Sequence, residues 1–187
     1  MSGLSLSFMN LATERLLLRE LAWTDLDDIH ALNSYPEVAK FNTIGIPKDQ
    51  EATREVMREA VENRAKDPRT QYAWTVRTVE GDTFVGEAGM SLYAARYRCG
   101  NIFYNLLPKY WGQGYATEVA GALVQFGLDT LHLHRIEAGA ATENIASVRV
   151  LEKIGMTREG VGRKILPTPG GWKDNYRYAI LEDDPRA

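Results

Sequence analysis

The spacing of apolar positions changes several times along the chain, and each change predicts a new element. Short or alternating apolar runs, typical of strands, occur at residues 15–21, 72–78, 84–93, 98–107, 135–141, 160–166 and 176–181. Apolar residues three or four apart, typical of helices, lie between these runs. The order is helices, an antiparallel meander, and then a strand–helix–strand–helix unit. It predicts a single α+β domain with a mixed sheet over residues 1–187, with a core at about 11–181.

Local signals set the ends of four predicted helices. Thr24 is placed to cap the first helix, which Pro36 would end. Pro47 suits the first turn of the second helix, which runs towards Lys66. The third and fourth helices are predicted at residues 115–131 and 144–153.

Composition narrows the possible partners. The chain has 187 residues and a net charge of -3, so it has no general attraction for nucleic acid or anionic lipid. No apolar run approaches the roughly 20 residues that span a bilayer, and no signal pattern opens the chain. We therefore expect a cytoplasmic protein that binds neither nucleic acid nor membrane. Cys99 is the only cysteine, which excludes an internal disulfide, and no metal-ligand spacing occurs, so no metal is expected.

The most informative segment joins the predicted strand at 98–107 to the helix at 115–131. It contains Gly112 and Gly114. Glycine lets the backbone approach a ligand closely, and the unbonded N–H groups of a helix start favour a phosphate or pyrophosphate. A tight turn without a ligand explains the same glycines, so the loop alone leaves both interpretations open.

Two other nucleotide-binding loops fit this segment poorly. A dinucleotide loop would use Gly112 and Gly114 as its first two glycines, but Thr117 stands where a third Gly or Ala is expected. A P-loop would need Gly-Lys-Ser or Gly-Lys-Thr, which this segment lacks.

Two blocks resemble a known family in the same order. Trp111-Gly-Gln-Gly-Tyr-Ala116 resembles the coenzyme A loop of the GNAT acetyltransferases, and Asn144 to Met156 resembles their second block. Trp111 departs from the usual first residue of the loop, but it is the residue found in the ribosomal-protein (Rim-like) branch. The opening Thr13 to Arg19 also resembles that branch. The resemblance extends over about residues 11–181.

The resemblance implies a fold and a cofactor. The fold is a GNAT-like, mostly antiparallel sheet, splayed at the coenzyme A site and flanked by helices. Acetyl-coenzyme A is the implied cosubstrate, its pantetheine arm lying against the backbone of Leu106 and Leu107. Asn144 is expected to cap its helix and to contact the cofactor. The amides that would hold the pyrophosphate belong to Gly112, Gln113, Gly114, Tyr115, Ala116 and Thr117.

The catalytic candidates are Ser147 and Glu87. Ser147 occupies the position of a serine that the Rim-like branch uses as the acid for the leaving thiolate; a polar residue of the first helical turn is the alternative. Glu87 is the candidate base, with an ordinary strand residue as the alternative. Lys164 stands where Rim-like relatives carry a glutamate, and Glu118 is interpreted as a structural helix residue.

These features predict an enzyme that acetylates a primary amine by direct attack in a ternary complex. The acceptor expected from the resemblance is a protein N-terminal α-amine. The alternatives are a small amine, such as a polyamine, an antibiotic or an amino acid, and a non-catalytic acyl-coenzyme A-binding protein. A monomer and a homodimer are both compatible with the sequence.

Overall fold

A computed structural model describes residues 9–186. Within them, eight strands form one sheet in the order β1-β2-β3-β4-β5-β6-β8-β7. The strands are β1 (Leu11–Ala12), β2 (Leu16–Glu20), β3 (Gln71–Thr78), β4 (Phe84–Leu92), β5 (Cys99–Leu106), β6 (Arg135–Ala141), β7 (Thr157–Thr168) and β8 (Gly171–Leu181). The predicted mixed sheet is confirmed, since β5 and β6 run parallel and the other neighbours antiparallel.

Between residues 9 and 186 there are five α-helices: α1 (Leu26–Asn33), α2 (Pro36–Ala39), α3 (Gln50–Asn63), α4 (Tyr115–Gln125) and α5 (Ile145–Lys153). Side chains alternate between the two faces of the sheet. One face packs against α4 and α5 in the main core, which includes Trp74 and Leu123. The other face packs against α1 and α3 in a smaller core around Leu32 and Met57.

The sheet opens between β5 and β6. Their pairing stops at Asn101 and Glu137, although β5 continues to Leu106 and β6 to Ala141. The two strands therefore separate like a fork, which is the splay expected from the family resemblance. We call this space the gap.

Four helix ends differ from prediction. Asp25, not Thr24, precedes α1, because Thr24 lies within a 3₁₀ turn, Trp23–Asp25, whose buried Asp25 carboxylate accepts hydrogen bonds from the amide of Ala22 and from Arg19. Pro36 begins α2 instead of ending α1, since proline fits the first helical position.

Asp49 caps α3 by accepting a bond from the amide of Ala52 at 2.8 Å, so Pro47 lies outside that helix. The helix predicted at residues 115–131 is α-helical only to Gln125 and continues as a π-helical turn, Phe126–Thr130. In that turn Gly127 lies against β6, because a Cβ there would come within 2.5 Å of Ile136.

The last hairpin is longer than predicted. β7 begins at Thr157 and β8 at Gly171, whereas the apolar pattern begins only at 160 and 176. The added positions are polar or exposed, so they carry no apolar period. No helix between residues 9 and 186 is long and apolar enough to cross a membrane.

Candidate active site

The loop from β5 to α4 is exposed and turns at its glycines. Gly112 and Gly114 have φ of 74° and 83°, a region that favours glycine. The indole N–H of Trp111 donates to the carbonyl of Leu106 at 2.7 Å, and Gln113 Nε2 donates to the carbonyl of Lys109 at 2.8 Å. These two bonds hold the loop through side chains, and neither of them uses a backbone amide of residues 112–117.

The start of α4 leaves its amides unused. No side chain caps the helix, and the first bond into it runs from the amide of Glu118 to the carbonyl of Gly114 at 3.1 Å. Across the described residues, the six amides from Gly112 to Thr117 have no hydrogen-bond acceptor. Six donors at the positive end of a helix dipole are suited to a pyrophosphate. The described part of the chain thus presents amide donors at the position where the sequence predicts a pyrophosphate.

A polar clamp behind the loop fixes the helix start to β2. The Glu118 carboxylate accepts bonds from the amide of Arg15 at 2.9 Å and from its Nε at 2.8 Å, and a further bond from Thr13. Arg15 also donates to the carbonyl of Gln113 at 3.1 Å. Burial disfavours ionisation, but the bonds from Thr13 and Arg15 outweigh it and lower the pKa of Glu118. The structural interpretation of Glu118 is confirmed, whereas the role of Arg15 was missed.

The edge of the gap offers backbone groups of β5. The amide of Leu107 bonds the carbonyl of Val85 at 2.9 Å, so the neighbouring amide of Leu106 points away from β4 and towards the gap. The side chains of both leucines are buried. Leu107 has its amide and carbonyl engaged, the latter by the amide of Tyr110. The geometry therefore favours Leu106 over Leu107 as a backbone contact for a ligand in the gap.

Ser147 lies in the first turn of α5, and its hydroxyl is 2.9 Å from that of Tyr104 on β5. Asn144 caps the helix as predicted, since its Oδ1 accepts the amide of Ser147 at 3.2 Å. Burial raises the pKa of Tyr104 to about 12, despite the opposing bond to Ser147. Tyr104 is therefore protonated near neutral pH and can donate to Ser147. This pairing was missed, because no local pattern joins positions 43 residues apart.

Glu87 lies on the opposite face of the sheet. Its Oε1 accepts a bond from Asn105 Nδ2 at 3.0 Å, and Asn105 follows Tyr104 on β5, so the two side chains point to opposite faces. Burial raises the pKa of Glu87, although the bond from Asn105 opposes the shift. The structure thus places the two catalytic candidates on opposite faces of the sheet. Glu87 lies on β4, one strand away from the gap.

Cys99 is buried, and burial together with the nearby Glu137 charge raises the pKa of its thiol. Among residues 9–186, no three His, Cys, Asp or Glu side chains form a group that would hold a metal ion.

Comparison with known proteins agrees with this geometry. The acetyltransferase (GNAT) domain model matches residues 15–157. The uncharacterized N-acetyltransferase YnaD of Bacillus subtilis is 34% identical over 178 residues, covering 94% of this chain and 99% of that protein.

Two solved structures share the fold at low sequence identity. The ribosomal-protein-S5-alanine acetyltransferase of Vibrio fischeri has a TM-score of 0.80 at 20% identity and covers 94% of this chain and 98% of that one. The spermidine N-acetyltransferase of Vibrio cholerae, in complex with coenzyme A and spermine, has a TM-score of 0.79 at 21% identity, covering 92% and 98%. The domain model over residues 15–157 and the 34% identity to YnaD show that the chain belongs to the GNAT acetyltransferases and is an acetyl-coenzyme A-dependent N-acetyltransferase.

Proposed function

We propose that the enzyme transfers the acetyl group of acetyl-coenzyme A to a protein N-terminal α-amine, by direct attack in a ternary complex. The family assignment gives acetyl transfer to an amine, and the proposal adds the kind of amine that accepts the acetyl group. It rests on the Rim-like features of the sequence, namely Trp111 in the loop, the opening block at Thr13 to Arg19, and Ser147 in the second block.

The observation that supports the acetyl-coenzyme A part of the proposal is the run of unbonded amides beside the gap. Gly112 to Thr117 receive the pyrophosphate, with Asn144 close to the cofactor at the start of α5. Each bond from an amide to a charged acceptor contributes about 1.5–3 kcal/mol. The amide of Leu106 faces the gap, where it binds the pantetheine arm. The thioester is then held between β5 and β6.

In the reaction, the amine nitrogen bonds to the thioester carbonyl carbon, the C–S bond breaks, the amine loses a proton and the thiolate gains one. The hydroxyl of Ser147 donates to the departing sulfur. Tyr104 donates to Ser147 Oγ, so the serine hydrogen is directed away from Tyr104 and towards the sulfur. Glu87, made more basic by burial, receives the amine proton through intervening water.

An acceptor-panel assay that follows free thiol release tests this proposal. The panel contains peptides with free N-termini, the same peptides acetylated at the N-terminus, spermidine, and single amino acids. We expect thiol release only with free amines and the highest kcat/KM with peptides. Exclusive use of spermidine or amino acids would replace the peptide acceptor by a small one. If no amine of the panel causes thiol release although the protein binds acetyl-coenzyme A, the chain is a non-catalytic binding protein.

A further inference from the structure

A cavity of about 400 Å³ lies at the root of the gap. Its lining includes Asn101 and Glu137, the last pair that joins β5 to β6 before the strands separate. These side chains share the sheet face of Asn105, opposite to Tyr104 and Ser147. Gly139, two residues further along β6, presents no side chain on this face. The cavity is therefore situated where an acceptor would approach the gap from the side away from α5.

One wall of the cavity carries an excess of negative charge. Glu137 accepts bonds from the hydroxyl of Tyr93 at 3.1 Å and from Arg135 Nε at 2.8 Å. Arg135 also pairs with Glu159, its Nη1 lying 2.8 Å from Oε1. A single guanidinium is thus shared by two carboxylates, which leaves one net negative charge. Such a wall attracts an ammonium group.

The other wall carries a cation without a partner. Arg177 lies directly opposite Gly139 in the β6–β8 register, and it lines the cavity with an exposed side chain. Within residues 9–186 its guanidinium forms no hydrogen bond or ion pair. Asn175 lies over Gly139, since a Cβ there would come within 2.5 Å of its amide nitrogen. The guanidinium and this amide present donors suited to a carboxylate.

We infer that this cavity binds the acceptor, and that the acceptor is an amine that also carries a carboxylate. Its ammonium group lies near Glu137 and its carboxylate lies near Arg177. The inference rests on the proposed acetyl transfer and narrows its acceptor. A free amino acid and a peptide with an acidic side chain near its N-terminus both have this chemistry. Spermidine lacks the carboxylate, and its charges are repelled by Arg177.

Matched acceptor pairs test the carboxylate requirement. The pairs are glycine against glycinamide, and peptides that begin Ala-Glu against peptides that begin Ala-Gln. We expect kcat/KM to be about tenfold or more higher for the carboxylate member of at least one pair, from the energy of a charged hydrogen bond. The pair that responds identifies the source of the carboxylate. Equal kcat/KM within both pairs would overturn the inference.

Variants of Arg177 test whether the preference for a carboxylate arises in the cavity. Arg177→Gln should lower kcat/KM for the carboxylate member more than for the amide member, and so abolish the ratio within the responding pair. Arg177→Glu should invert the ratio and improve the use of spermidine. Arg163→Gln is the matched control, because it removes an exposed positive charge from the same hairpin outside the cavity lining. An equal fall for both members of the pair would contradict carboxylate recognition.

Direct binding separates this inference from the proposed reaction. Calorimetry of each acceptor with the coenzyme A-bound protein measures recognition without turnover. If thiol release fails but the carboxylate member binds more tightly and loses this advantage in Arg177→Gln, the reaction is wrong and the cavity assignment holds. If thiol release occurs and neither member of a pair is preferred, the reaction holds and the cavity assignment is wrong.

Discussion

The two helices beside the gap begin in opposite ways. α4 begins at Gly114, with no side-chain cap and with six consecutive amides that have no acceptor in the described chain. α5 begins at Asn144, whose side chain takes the amide of Ser147. The start of α4 therefore leaves backbone donors for a ligand. The start of α5 bonds the amide of Ser147 to its own cap and presents the Ser147 side chain.

This difference separates binding from chemistry. A charged ligand at α4 replaces the missing cap, so changes there should alter affinity first. At α5 the amide of Ser147 is already bonded to the side chain of Asn144, so changes in the side chains should alter turnover or stability while affinity remains. The predictions for Gly114, Ser147 and Asn144 each change one side of this comparison, and the last prediction concerns a residue outside both.

The largest effect is expected for Gly114→Val. A branched side chain is strained at a φ of 83°, and its Cβ would lie 3.4 Å from Nη2 of Arg15, so the loop and the clamp behind it would have to shift. Loss of two amide bonds would weaken acetyl-coenzyme A binding by roughly 100-fold or more. Calorimetry measures this, and a melt without ligand shows whether the variant is folded.

Gly121→Ala is the matched control in the same helix. A Cβ at Gly121 meets nothing within 4 Å, and alanine is the better helix former by about 1 kcal/mol. Affinity should stay unchanged while the melting temperature rises slightly. If a folded Gly114→Val protein binds acetyl-coenzyme A with unchanged affinity, the loop is a simple turn without a role in cofactor binding.

Ser147→Ala should lower turnover without lowering affinity. A hydrogen bond made mainly to the leaving thiolate affects kcat more than ground-state binding. We expect kcat to fall by several-fold to about 100-fold. Tyr104→Phe, which removes the bond that orients the serine, should lower kcat by about 2–10-fold. Steady-state kinetics with a parallel melt detects both. A full kcat in Ser147→Ala would remove this residue from the catalytic site.

Asn144→Ala tests the closed helix start. Losing an N-cap costs about 1 kcal/mol of unfolding free energy. A domain of this size then melts about 2–4 °C lower. Acetyl-coenzyme A affinity should change far less than in Gly114→Val. If the two variants lose affinity equally, the start of α5 binds the cofactor as strongly as the loop, and the contrast between the helices is lost.

The smallest effect concerns Glu87, which lies outside both helix starts. Burial raises the pKa of Glu87 in the folded protein. The folded protein is therefore more stable at low pH, where Glu87 is protonated, and it loses this stability as the pH rises through that pKa. Glu87→Gln should therefore melt higher than the native protein at pH 7.5, by no more than about 2–4 °C. The difference should vanish below about pH 4. A lower melting temperature at pH 7.5 would indicate that the carboxylate is stabilised by contacts other than Asn105.

The sequence predicts the central strands to within a residue or two, because each has one or both faces buried. β3 to β6 follow the apolar periods closely. The ends of α1 and α3 were misplaced, because the side chains of Asp25 and Asp49 compete with Thr24 and Pro47 as starts. The extra length of β7 and β8 lies on exposed positions, where periodicity carries no information.

The candidate site also has a part that the sequence predicts and a part that it does not. Its loop is contiguous in sequence, so glycines and family blocks identify it. Contacts such as Tyr104 with Ser147 and Arg15 with Glu118 join distant segments, and only the folded chain brings them together. The cavity around Arg177 depends on strand register, which apolar spacing does not specify for an exposed face. The roles of Ser147, Glu87 and the loop residues stay predictions.

A thermal melt with three ligands tests the central claim, that the open start of α4 binds coenzyme A. Acetyl-coenzyme A at about 100 times its dissociation constant should stabilise the protein by roughly 2.7 kcal/mol. For a domain of this size the melting temperature should rise by about 5–10 °C. NAD and ATP at the same concentration should produce a much smaller rise. A clear rise with NAD and none with acetyl-coenzyme A would contradict the account.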